Sequence, residues 1–228
     1  MLAKVPFPQD SSTKICTPIF VKADGRIGHL QIRSLAGDDA LCKKVVDFLT
    51  SHDFEFYRNG KRYTPQDAVS TVNMLRARIE GGNPFSGFPV LDNGKVVGLI
   101  RIGFDDDPRK IQIAGLGLDQ YQNIGNGRAA LAWILKEYLP MLHSKGYRLP
   151  VYGSDGKTVK EWVDLDKTSV VATVHPDYEH CNNLLSKGGF TLIKQIKLDN
   201  FSGVHDARRN VYEIALKQFI KPGNCCGL

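Results

Sequence analysis

The chain has 228 residues, with 30 Lys and Arg against 24 Asp and Glu, a formal net charge of +6 and a pI of about 9.0. That length can bury one sizeable core, and the positive balance favours acidic ligands. No apolar run approaches the ~20 residues that span a bilayer, no apolar leader with a small-residue cleavage site follows Met1, and no Lys/Arg tract interleaves with aromatics. A soluble, cytoplasmic chain is therefore expected, with no membrane and no nucleic-acid partner.

Residues 1–27 carry Pro6, Pro8 and Pro18 among polar positions and read as an irregular arm with room for one edge strand at Pro18–Val21. A single domain is expected over 28–221, with a tail at 222–228. His29–Leu35 alternates as a strand, and Gly37-Asp38-Asp39 then offers an N-cap for a helix that turns Leu41, Val45, Phe48 and Leu49 inward. Thr64-Pro65-Gln66-Asp67 sets a capping oxygen, a helix-starting proline and an acidic first turn in order, which predicts a second helix through Glu80 that stops at Gly81-Gly82. Phe88–Leu91 and Lys95–Ile100 flank Asp92-Asn93-Gly94, and the Asn-Gly pair suits the left-handed dihedrals of a tight hairpin. Asp105-Asp106-Asp107-Pro108 reads as a solvated turn and not as a metal site, since adjacent residues at a strand end point to opposite sides.

Lys110–Leu118 alternates as a strand in which Gly115 and Gly117 permit a bulge or a close backbone approach. Leu131, Ile134, Leu135 and Tyr138 then recur at helical spacing until Pro140, which is expected to stop the helix. Between them lies Gln122-Asn123-Ile124-Gly125-Asn126-Gly127. A strand-to-helix turn without Cβ atoms lets an anion collect the unpaired N–H groups of the first helical turn, so a phosphate or pyrophosphate fits there. No Lys-Ser or Lys-Thr follows Gly127, as a nucleotide-hydrolase phosphate loop requires, and the G-x-G-x-x-G dinucleotide fingerprint is absent.

Residues 144–168 are rich in Gly, Lys and Asp around Glu161-Trp162-Val163 and read as an insertion or long loop near the substrate. Ser169–Val174 is a buried-type strand closed by His175-Pro176-Asp177. A short helix with Cys181, Leu184 and Leu185 inward ends at Gly188-Gly189, and strands at Phe190–Ile196 and Asn210–Leu216 complete a mixed sheet with helices on both sides. Five cysteines (Cys16, Cys42, Cys181, Cys225, Cys226) with no C-x-x-C, and six histidines with no H-x-x-x-H, indicate neither a disulfide framework nor a structural zinc site. The ending Cys225-Cys226-Gly227-Leu228 lacks the aliphatic middle residues of a prenylation box and reads as a plain tail.

The Q-x-x-G-x-G pattern resembles the coenzyme A pyrophosphate loop of the GCN5-related N-acetyltransferases (GNAT). So does the run from Ala172-Thr173-Val174-His175-Pro176-Asp177 to Lys187-Gly188-Gly189-Phe190, a strand ending near Pro-Asp followed by a helix ending in Lys-x-Gly-Phe. The resemblance covers roughly 28–217, and the early strand followed by Asp38-Asp39 is most like the branch that acetylates the N-termini of ribosomal proteins. It implies an α/β fold with a central mixed, mostly antiparallel sheet flanked by helices, in which two parallel strands, here 110–118 and 169–174, splay apart around the pantetheine arm. It implies that Leu116, Leu118, Gln122, Asn123, Ile124, Gly125, Asn126, Gly127, Arg128 and Cys181 contact acetyl-CoA or coenzyme A, with a backbone N–H near Leu118 at the thioester carbonyl. The helix departs from the family's N-x-x-S spelling, carrying Tyr178 and Cys181 at those positions. The common acidic position on the central strand is Gln112 or Ile113 here, so His175 is the first candidate for general base, with Asp177 and Asp119 behind it, and Tyr178 and Cys181 are acid candidates. The activity implied is acetyl (acyl) transfer to a primary amine, on a small molecule or on a protein or peptide, by direct attack in a ternary complex. A homodimer is allowed for, and a non-catalytic acyl-CoA sensor of the same fold is the alternative.

Overall fold

The computed structural model describes residues 19–21, 27–51, 63–105, 107–116, 126–153, 158–197 and 207–220. Eight strands form one sheet: β1 (Ile19–Val21), β2 (Ile27–Ile32), β3 (Gly87–Asp92), β4 (Lys95–Phe104), β5 (Lys110–Leu116), β8 (Ser169–Val174), β9 (Thr191–Lys197) and β10 (Arg208–Ala215). Their spatial order is β1-β2-β3-β4-β5-β8-β10-β9, and every pairing is antiparallel except β5 with β8. The expected mixed, mostly antiparallel sheet is what the chain builds.

Local chemistry starts and stops these elements as the sequence predicts. Asp38 Oδ1 accepts the Leu41 N–H at 2.9 Å and opens α1 (Asp39–Ser51). Thr64 and Asp67 exchange hydrogen bonds in a capping box, 3.1 Å from the Asp67 N–H to the Thr64 hydroxyl and 3.2 Å in return, with Pro65 leading α2 (Pro65–Glu80). Asn93 and Gly94 take φ of 51° and 76°, the left-handed pair that joins β3 to β4 with matched twist. At the β4–β5 turn, Asp105 Oδ1 accepts the Asp107 N–H and Asp107 Oδ1 the Arg109 N–H, so these carboxylates serve the turn.

Strand parity shows which helix covers which face. A Cβ on Gly87 would lie 2.5 Å from Leu75 Cδ1 of α2, whereas the next residue, Phe88, packs its ring against Trp133 and Tyr138. Neighbours along a strand face opposite ways, so α2, with α1 packed beside it, covers one face and the helix after β5 covers the other.

That helix differs from expectation. α3 (Asn126–Trp133) continues through a π-turn (Ile134–Tyr138) into α4 (Leu139–Ser144), so Pro140 does not stop it. Proline lacks an N–H and its ring crowds the carbonyl four residues back, and the widened turn, where the Leu139 N–H donates to Ile134 O, makes room for both. The segment 144–168 differs as well. It holds a two-stranded sheet, β6 (Arg148–Tyr152) with β7 (Val159–Asp164), anchored in the core by Leu149, Val163 and Leu165. Arg109 meets Glu161 at 3.5 Å, which ties this hairpin to the start of β5, the end remote from the glycines. α5 (Glu179–Lys187) follows β8. Among the described residues, no helix is long and apolar enough to cross a membrane, and no group of His, Cys, Asp or Glu is placed to hold a metal ion.

Candidate functional site

The parallel pair at the centre of the sheet opens. β5 and β8 pair only from Lys110 with Ser169 to Gln112 with Val171, although β5 continues to Leu116 and β8 to Val174. Each strand keeps its outer neighbour: β4 pairs with β5 as far as Leu116, and β10 with β8 as far as Val174. Beyond Gln112 and Val171 the two strands therefore present backbone N–H and C=O groups to a gap, and such groups require a partner. Gly115 is exposed there, as its lack of a side chain allows.

α3 and α5 roof this gap on the face opposite α2. A Cβ on Gly127 would stand 3.1 Å from Leu184 of α5, and one on Gly188 would stand 2.9 Å from Leu131 of α3, so the helices meet where each carries a glycine. The cleft is lined by Ile113, Gly115, Gly127, Leu131, Val174 and Cys181 among others, an apolar slot with peptide groups along its edge. Next to Gly127, the first residue of α3 is Asn126, which is 1% exposed and whose Oδ1 and Nδ2 have no partner among the described residues. A buried amide left in that state costs on the order of 1–3 kcal/mol. Arg128, exposed beside it, adds positive charge to the helix start.

Of the residues assigned from the sequence, the structure brings Gly127 and Cys181 into the cleft, leaves Asn126 buried and Arg128 exposed on either side of Gly127 without lining the cleft, and pairs the backbone of Leu116 with Leu99. Leu118, Asp119, Gln122, Asn123, Ile124 and Gly125 lie outside the described residues, as does the tail 222–228. His175 follows Val174 of the cleft wall but is itself 5% exposed and does not line the cleft. Its Nδ1 accepts the Asp177 N–H at 3.2 Å, so the neutral ring carries its proton on Nε2. The Tyr178 ring stands edge-on to His175 with centroids 6.4 Å apart.

Sequence reasoning missed the residue that holds this turn. Asn182 Nδ2 lies 3.0, 3.1 and 2.7 Å from the carbonyls of His175, Pro176 and Tyr178, while its Oδ1 accepts from Asn210 Nδ2 and the Tyr212 hydroxyl, both at 2.9 Å. One side chain thereby joins the end of β8, α5 and β10. A second unforeseen cluster lies at the closed end of the pair, where Glu213 accepts from Ser169 at 2.6 Å and Lys110 at 3.0 Å. Burial alone would raise the Glu213 pKa, but these two bonds outweigh it and hold the carboxyl below its usual range, which keeps it charged and a weak base.

No protein-family model and no curated protein sequence matches the chain. Solved structures do. An acetyltransferase of the GNAT family from Bacillus anthracis superposes with a TM-score of 0.57 at 18% identity, covering 82% of this chain and 95% of that one. Mycobacterium smegmatis RimJ, solved in complex with CoA-disulfide, gives 0.57 at 17% identity over 90% and 88% of the two chains. RimL, a ribosomal L7/L12 alpha-N-protein acetyltransferase solved with coenzyme A, gives 0.54 at 13% identity over 88% and 98%. At this identity the likeness is one of architecture: the chain has the fold of the GNAT acetyltransferases.

Proposed function

We propose that the chain is an N-acetyltransferase that moves an acetyl (acyl) group from acetyl-CoA to a primary amine by direct attack in a ternary complex. The observation that carries this reading is the opened parallel pair, whose unpaired backbone edge lies beneath two helices that touch through glycine. A thin amide-bearing arm can pair with such an edge, and the start of α3 offers an N–H array and the Asn126 amide to a pyrophosphate. Bound acetyl-CoA would supply the acyl group already activated as a thioester. The solved relatives with coenzyme A, RimJ and RimL, support the same reading.

The chain's own residues then have two tasks, holding the donor and moving protons. Holding falls to Asn126, Gly127, Arg128 and the Leu118–Gly125 loop, with Cys181 on the cleft wall as an acid candidate beside Tyr178. Proton removal from the acceptor falls to His175, with Asp177 and Asp119 behind it. To accept a proton at Nε2 the His175 ring must give up the Asp177 N–H, a cost of about 0.5–1.5 kcal/mol, whereas general base catalysis contributes about 10²–10⁴-fold, so the gain exceeds the cost. His175→Ala is therefore expected to lower kcat about 10²-fold with coenzyme A affinity unchanged; an unaltered kcat would make His175 a fastener of the turn alone.

The reading itself is tested by calorimetry with coenzyme A and by turnover of acetyl-CoA against a panel of amines and peptide N-termini. Gly127→Glu puts bulk against Leu184 and negative charge at the helix start, and is expected to abolish coenzyme A binding. Unchanged affinity in a folded variant would refute the pyrophosphate assignment. Tight coenzyme A binding with no turnover of any amine would favour the sensor alternative.

A further inference from the structure

The helices α3 and α5 occupy one face of the opened pair, so an acceptor has to come from the other. Gly87, Arg101 and Ala114 are cross-strand partners in β3, β4 and β5 and share the α2 face. One step along, Gly103 and Gln112 are partners on that same face. Among the described residues the cover ends here. A Cβ on Gly103 would meet nothing within 4 Å, and Gln112, Ala114 and Thr173 are exposed.

Arg101 is the anomaly of this surface. Five Lys or Arg side chains among the described residues are not fully exposed: Arg33, Arg76, Arg101, Lys110 and Arg209. Arg33 pairs with Asp38, Arg76 with Asp39 and Glu80, Lys110 with Glu213, and Arg209 donates to the Arg208 carbonyl. Arg101 alone among them makes no hydrogen bond or ion pair with any described residue. Arg101 is partly buried as a residue, and its guanidinium donors are not taken up by any described residue, so they are open to an anionic ligand. By strand geometry its Cα lies about 8 Å from that of Leu116, at the open end of the pair, which is within reach of a group attached close to the reacting amine.

We infer that Arg101 is a specificity determinant, and that the amine acceptor carries an oxyanion, a carboxylate or a phosphate, which the Arg101 guanidinium binds on the α2 face. The planar fork of arginine matches the two oxygens of either group, whereas a neutral acceptor leaves it unpaired. Glu213 of β10 and Lys110 at the start of β5 already satisfy each other at 3.0 Å and take no part in this contact.

This inference rests on the acyl-CoA reading, and the experiment separates the two. Acetyl transfer is measured on matched pairs: tripeptides with a free N-terminus and Glu or Gln at the second position, glycine against glycinamide, and phosphoethanolamine against ethanolamine. The wild type is expected to prefer the anionic member of at least one pair by about tenfold or more in kcat/KM. The peptide, amino-acid and phosphate arms show which source of the oxyanion fits. Arg101→Gln is expected to bring that ratio close to one, chiefly through a higher KM for the anionic member, while Arg101→Lys keeps part of it. Lys43→Gln, an exposed change on α1, should leave the ratio intact. A wild type without preference, or Arg101→Gln that keeps it, overturns the inference while leaving acyl transfer standing. If coenzyme A binds but nothing turns over, calorimetric titration of the coenzyme A complex with the same pairs decides in the same way. Failure to bind coenzyme A refutes the acyl-CoA reading, on which this one depends.

Discussion

The two halves of the sheet solve opposite problems. In the half built from β2, β3 and β4, both faces are covered, and Phe88, Val90, Leu99 and Ile100 are nearly or wholly withdrawn from water beneath α2 on one side and the α3–α4 helix on the other. In the half built from β5, β8 and β10, the sheet parts, Gln112, Ala114 and Thr173 face solvent, and one helix entrance holds an amide with no partner among the described residues. Closed packing is where stability comes from, and unpaired backbone is where a ligand can be held. The two regimes meet between β4 and β5, so substitutions on either side of that line should have contrasting signatures.

The largest effect on folding is expected on the closed side. Gly87→Val would drive new carbon atoms into Leu75, and overpacking of this kind costs about 1–3 kcal/mol. The unfolding free energy from denaturant titration should fall by that amount with coenzyme A affinity retained, and Leu75→Ala added to the variant should recover part of the loss. Independent, additive losses would mean that the two sites do not touch. At the open side the sign should reverse: Asn126→Ala removes a buried amide without a partner and is expected to gain about 1 kcal/mol of stability while weakening coenzyme A roughly tenfold. A variant that loses stability would show that the Asn126 amide already has a partner in the free protein. The smallest effect belongs to Glu213, at the hinge where the pair begins to part. Its carboxyl pKa is held below the unfolded value of about 4.3, so its contribution is complete above that pH and lost as pH falls through the lower folded value. Glu213→Gln should therefore lower the unfolding free energy slightly at pH 7, by less than about 1 kcal/mol for a partly exposed pair, and the difference from wild type should vanish well below pH 4.

What could be read from the chain was what neighbouring residues settle among themselves. The Thr64–Asp67 capping box, the Asn93-Gly94 turn and the Asp38 cap are contacts made within five residues, and each stands as expected. The opened strands were legible too, through the glycines of 110–118 and the family's two motifs. Pro140 misled because a rule about regular helices meets an irregular one, and a single inserted residue per turn removes the conflict. The hairpin at 148–164 was hidden by its charged, glycine-containing composition, since Leu149 and Val163 become core only when the sheet end is there to receive them. Arg101 and Asn182 could not be seen at all. Arg101 looks like any outward residue of an alternating strand until its missing partners are noted, and Asn182 acts through Asn210 and Tyr212, 28 and 30 residues away.

The π-turn has a further consequence, one of phase. In a regular α-helix, residues five apart are rotated by roughly 140° from one another, so Trp133 and Tyr138 would point to different sides. With i→i+5 bonding they stand nearly above each other, and their rings stack at 4.7 Å and 28° while both edges meet Phe88. The turn acts as a one-residue clutch between two rotary settings. At and before its start, Ala130, Leu131 and Ile134 are dialled to the cleft, and from its end onward Tyr138, Leu139 and Leu142 are dialled to the core. Removing one residue between Ile134 and Tyr138 would turn the two settings out of step by about 100°, so the spacing of this helix is constrained to the residue even where the side chains, as at Lys136 and Glu137, are exposed.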